Sequence, residues 1–190
     1  MYSSTRLVFS LAIILTIGSL NSAPVQTDTV LISDLKPVDG ILNLNGTPYT
    51  GEAYFIKRDG KPMVMRSYVK GVKQGLWRTW HTNGELYKEG HVKADKEHGE
   101  YREYYENGIL RYHYHYDMGK KTGKWLGWYE DGTIYTERNF KDDKLNGRLV
   151  HYDEKGNARM SEEYREGRLI ASDRFKARGE GVKTEGKENP

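Results

Sequence analysis

The chain has 190 residues, a formal net charge of +3 from 30 Lys and Arg against 27 Asp and Glu, and only 36% hydrophobic residues, where compact globular domains carry about 45–50%. Basic and acidic residues are mixed along the whole length, which argues against the collected Lys/Arg patch of a nucleic-acid-binding protein. The absence of cysteine excludes disulfides, thiolate metal sites, a cysteine nucleophile and a lipid-modified cysteine, and the surplus of glycine (21) and tyrosine (15) marks a chain rich in turns and amphipathic aromatics.

At the N-terminus Arg6 precedes an apolar run, Leu7 to Ile17, and then a small and polar stretch from Gly18 to Ala23. This pattern predicts a secretory signal peptide over residues 1–23, since the run is eleven residues and a spanning helix needs about 20. The expected localisation is therefore secreted or periplasmic. Residues 24–40 are expected to form a linker, with a short strand at Val30 to Ile32. Ile41-Leu42-Asn43-Leu44, Asn45-Gly46 and Pro48-Tyr49-Thr50-Gly51 predict a divergent capping hairpin.

From there two glycine columns recur every 24 residues: Gly51, Gly75, Gly99, Gly123 and Gly147, and nine positions later Gly60, Gly84, Gly108, Gly132 and Gly156. Two residues after the first glycine stand Ala53, Trp77, Tyr101, Trp125 and Leu149; five after it stand Ile56, Trp80, Tyr104, Trp128 and Tyr152. Asp59, Asn83, Asn107, Asp131 and Lys155 precede the second glycine, so four of five copies carry Asn-Gly or Asp-Gly between hydrophobic stretches, a strong hairpin signal. Leu86, Leu110 and Ile134 follow the turn, and Tyr68, Val92, Tyr116, Phe140 and Tyr164 come six positions later. Each copy therefore reads as strand, tight turn, strand and a polar connection such as Lys93 to His98.

A lone hairpin is marginal in water, so the copies are expected to pair edge to edge. The predicted fold is all-β: an elongated antiparallel meander of about five tandem 24-residue β-hairpin repeats over residues 41–170, starting near 51, 75, 99, 123 and 147. Residues 171–190 are expected to be a disordered tail. With a two-residue Asn-Gly turn, Leu86 and Val92 share a face with Trp77; with a three-residue turn and a glycine bulge, they share it with Trp80. The sequence leaves both open.

The motif Gly99-Glu-Tyr-Arg-Glu-Tyr-Tyr-Glu-Asn-Gly108, its counterparts beginning Gly75-Leu-Trp and Gly123-Lys-Trp, and the opening Pro48-Tyr49-Thr50-Gly51 resemble the MORN-repeat superfamily, in particular its YwqK-type variant. The resemblance covers about residues 41–170. It implies the repeat architecture, a non-catalytic protein and, from the label such proteins carry in bacteria, an antitoxin-like role.

His113 and His115 lie two apart on a strand and point to one face, the seed of a metal site with His91; no carboxylate or third histidine stands in the same rung by sequence, so a solvated strand face is the expectation. Glu103, Glu106, Glu130 and Asp131 recur at exposed and turn-flanking positions, without a predicted apolar pocket to tune them as a catalytic pair. No catalytic residue, metal or cofactor is expected. The candidate binding residues are the aromatic columns, Trp77, Trp80, Tyr101, Tyr104, Trp125, Trp128 and Tyr152. The expected function is a protein-interaction or scaffolding module with an unidentified protein partner; the alternative is a cell-surface protein holding a glycan or an anionic lipid.

Overall fold

A computed structural model describes residues 29–175. The predicted signal peptide and most of the predicted tail lie outside these residues. The N-terminal part starts with strand β1 (Val30–Leu31), a single 3-10 turn (Ile32–Asp34) and a small meander of β2 (Lys36–Val38), β3 (Ile41–Leu44) and β4 (Thr47–Pro48). The expectation of a linker up to residue 40 is corrected here. Leu35 is buried with Ala53 and Tyr68, packed round by Val30, Ile32, Leu42, Leu44 and Tyr49. Asp39 and Gly40, at φ 49° and 79°, make a two-residue turn between paired Val38 and Ile41. That Asp-Gly pair was a readable hairpin signal.

The array proper follows as β5 (Gly51–Ile56), β6 (Pro62–Val69), β7 (Val72–Trp80), β8 (Leu86–Lys93), β9 (Lys96–Tyr104), β10 (Leu110–Asp117), β11 (Lys120–Trp128), β12 (Ile134–Lys141), β13 (Lys144–Leu145), β14 (Gly147–Tyr152), β15 (Ala158–Arg165) and β16 (Arg168–Arg174). From β5 on, neighbours in sequence are neighbours in one 13-stranded sheet, except that β13 and β14 both pair with β12, and β1 completes the sheet by a parallel pairing to β5. The meander of 24-residue hairpins is thus the observed fold. The sheet also continues to Arg174, four residues past the expected end of the repeats at 170, because Ala171 to Arg174 still pair with β15.

Two kinds of turn alternate. Within a copy, His81 N–H donates to Glu85 O (2.8 Å) and Gly84 N–H to His81 O (3.1 Å), so the loop is three residues closed by a glycine at φ 98°. The residue before the glycine caps this turn: Asn83, Asn107 and Asp131 accept at Oδ1 from the backbone N–H two residues on, at 2.9, 3.0 and 2.8 Å. In the last copy, where Lys155 breaks the column, Asp153 takes over and accepts from Lys155 and Asn157. Between copies the connection is a two-residue turn with both residues at positive φ: Lys70-Gly71, Ala94-Asp95, Met118-Gly119, Asp142-Asp143 and Glu166-Gly167. Such mirror-image turns match the twist of the flanking strands. The tightest turns therefore sit at the repeat junctions, which read from sequence only as polar connections.

A second irregularity decides the faces. Trp80 pairs with Leu86 but Thr79 with Lys88, so Tyr87 is an extra, bulged residue. Met63, Arg111, Tyr135 and Arg159 occupy the same place in the other copies. The bulge shifts side-chain parity between Leu86 and Val92. As a result neither alternative read from the sequence holds whole: Leu86 shares a face with Trp80, and Val92 shares one with Trp77.

Candidate functional site

The first face carries the row Ala53, Arg66, Trp77, Gly90, Tyr101 and Tyr114, each paired across to the next. Its aromatics form a continuous ladder: Tyr101 and Tyr114 stack with ring centroids 5.7 Å apart, Tyr114 and Trp125 at 4.3 Å, and Trp125 meets Phe140 at 5.1 Å. Tyr101 fits because its cross-strand partner is Gly90; it is 1% exposed and donates its hydroxyl to His91 O at 2.7 Å. Trp125 Nε1 similarly donates to His115 O at 3.2 Å. The Lys88 ammonium lies 5.5 Å from the Trp77 and Tyr114 rings and 3.1 Å from Glu103. Glu103 also accepts the Tyr114 hydroxyl. Burial pushes the Tyr114 phenol far above its ordinary range, reinforced by that bond, and burial with the nearby Glu97 does the same for Tyr101. Trp77, Tyr101 and Trp125 are therefore engaged in holding the sheet, and of these candidates Tyr101 has no surface to offer.

A second row of this face runs beside the glycine turns and ties each copy to the next. His81 Nε2, Tyr105 OH and Tyr129 OH each hydrogen-bond a carbonyl 23 residues ahead, on Tyr104, Trp128 and Tyr152, at 2.8, 2.8 and 3.4 Å. Asn83 and Asn107 donate at Nδ2 to Glu106 O and Glu130 O in the same way. The carboxylates considered as a catalytic pair are spread through this framework: Glu103 in the ladder, Asp131 as a turn cap, Glu106 and Glu130 on the turn edge.

The opposite face carries the other candidates. Trp80, Tyr104, Trp128 and Tyr152 pair with Leu86, Leu110, Ile134 and Ala158, and all four aromatics are half-buried. Equivalent strands recur two strands apart, so this strip repeats about every 10 Å. Beside it runs a charged row, Arg78, Glu89, Arg102 and His113, paired strand to strand. Arg78 meets Glu89 at 3.3 Å, Tyr104 OH donates to Glu89 at 3.3 Å, and Tyr152 OH donates to Glu137 at 2.8 Å. Burial opposes it, but the Tyr152 hydroxyl and Lys124 hold the Glu137 carboxyl below its ordinary range.

Glu100 stands on this face directly opposite His115, with Oε1 3.5 Å from His115 Nε2 and 3.6 Å from His113 Nε2. The carboxylate not expected in this rung from the sequence is therefore present. Glu100 was missed because it belongs to the neighbouring strand, thirteen residues before His113.

The geometry defines a class: an open array of hairpin repeats with two dissimilar faces. Three consecutive stretches, residues 73–94, 97–118 and 121–142, match the MORN repeat variant, so the central copies are similar to MORN repeats. The flanking hairpins repeat the same turns and bulges outside the matched residues. No curated protein matches the chain.

Proposed function

We propose that this protein is a non-catalytic interaction module that docks a protein partner along the strip of Trp80, Tyr104, Trp128 and Tyr152. The observation that carries the reading is the asymmetry of the faces. On the first face Tyr101 and Tyr114 are sealed by their neighbours and only Trp77 and Trp125 of the ladder's candidates keep some exposure, whereas on the second none of the four aromatics is sealed and they stand beside an alternating row of charge. Half-exposed Trp and Tyr flanked by polar groups are the composition of interface centres. MORN repeats commonly serve as protein- or membrane-interaction modules, in keeping with this reading. Export by the predicted signal peptide and the antitoxin-like role implied by the resemblance belong to the same proposal; an exported form would meet its partner outside the cytoplasm.

The test compares the native chain with Trp80→Ser/Trp128→Ser for capture of a stoichiometric protein from the compartment in which the native chain is found. Both are also titrated with anionic vesicles and cell-wall glycan fragments. Capture by the native chain and its loss in the variant is the expected result. Strong glycan binding, or vesicle binding that falls with salt, without any captured protein would replace this reading by a surface-ligand one.

A further inference from the structure

We infer that Glu100, His113 and His115 form a binding site for a divalent transition-metal ion of the zinc class, held by two imidazoles and one carboxylate with a further position open to solvent. One ligand atom from each of the three lies within 4.8 Å of the other two. Both imidazole Nε2 atoms face the same carboxylate oxygen, Glu100 Oε1, at 3.6 and 3.5 Å. In a tetrahedral site with bonds of about 2.0–2.1 Å, ligand atoms stand about 3.3 Å apart; the two imidazole–carboxylate separations are already near that, and the two imidazoles, within 4.8 Å, must draw together to close round an ion.

The backbone sets this arrangement. His113 and His115 are alternate residues of β10 and so share a face, and Glu100 is the cross-strand partner of His115 on β9. The second observation is a loosely held atom: His113 Nε2 is buried, and its contact with Glu100 Oε1 at 3.6 Å is longer than a hydrogen bond. A buried ring nitrogen is costly unless well satisfied, and a metal ion between it and the carboxylate would satisfy both. The carboxylate is also oriented. Arg102 pairs with Glu100 through Oε2, which leaves Oε1 for the histidines, and the Arg102 charge is shared with Glu89, 3.8 Å away. Two imidazoles and a carboxylate suit zinc, copper or nickel rather than calcium or magnesium, which take oxygen ligands.

The test is titration of untagged full-length chain with zinc chloride by calorimetry, repeated with cobalt(II), whose visible bands report coordination geometry. One ion per chain is expected, with affinity lowered at least about tenfold in His113→Asn, His115→Asn and Glu100→Gln, and within twofold in the control His98→Asn. Nickel-induced broadening of histidine resonances in the native chain gives a readout that does not depend on the variants folding, and it should fall on His113 and His115. No saturable binding of zinc, copper or nickel, binding that persists unchanged in the His113 and His115 variants, or broadening at other histidines alone would each overturn the inference.

Discussion

Gly90→Ala puts a methyl group where the Tyr101 ring lies. A Cβ on Gly90 would stand 2.3 Å from Tyr101 Cδ1 and Cε1, well inside van der Waals contact, and the backbone at Gly90 is ordinary strand that any residue adopts. The ring must therefore shift by more than an ångström, loosening its stack on Tyr114 and its hydroxyl bond to His91 O. Overpacking of this kind costs about 1–3 kcal/mol. The strained hydrogen bond adds about 0.5–1.5 kcal/mol. The lower backbone entropy of alanine in a strand returns about 0.5–1 kcal/mol. A net loss of about 2 kcal/mol should lower Tm by about 4–8 °C in a chain of this size. The decisive assay is a double-mutant cycle by thermal and urea unfolding. In a Tyr101→Ala background the same Gly90→Ala change should be neutral or stabilising, a coupling of about 1–3 kcal/mol. Equal effects of Gly90→Ala in both backgrounds, or a raised Tm in the native one, would refute the account of how the ladder is packed.

Gly108→Val and Gly132→Val place a β-branched residue at φ 81° and 88° in equivalent turns, so each should destabilise by more than about 1 kcal/mol and by similar amounts in thermal melts. A drop in only one would show that the two turns are not equivalent. Alkaline pH should unfold the array cooperatively. The phenols of Tyr101 and Tyr114 are held above their unfolded value of about 10, so this contribution is fully present below that pH and is lost as pH rises beyond it. Tm should be flat from about pH 7 to 9 and fall steeply above about 10, with phenolate absorbance and loss of circular dichroism moving together. Phenolate formation complete before any structural loss would contradict the burial of these rings.

The sequence by itself determined the repeat, its period and the five hairpins, because turn chemistry acts over a few residues. A glycine after Asn or Asp, as at Asn83-Gly84 and Asn107-Gly108, carries its own positive φ and its own side-chain cap. The same local reasoning reached Asn45-Gly46 but passed over Asp39-Gly40, so the cap began five residues earlier than expected, at Lys36. Junction turns such as Ala94-Asp95 and Asp142-Asp143 were not legible as tight turns, since they contain no glycine and take their positive φ from the pairing of Lys93 with Lys96 and of Lys141 with Lys144. Only the tertiary structure decided which aromatics share a face. Strand parity accumulates along the chain, and each bulge shifts it by one; the bulged residues Met63, Tyr87, Arg111, Tyr135 and Arg159 have no common chemistry that would betray them. The meeting of Glu100 with His113 and His115 is of the same kind: it depends on the register between two strands, which the turn, its bulge at Arg111 and the buried face set together rather than any one residue's own preference.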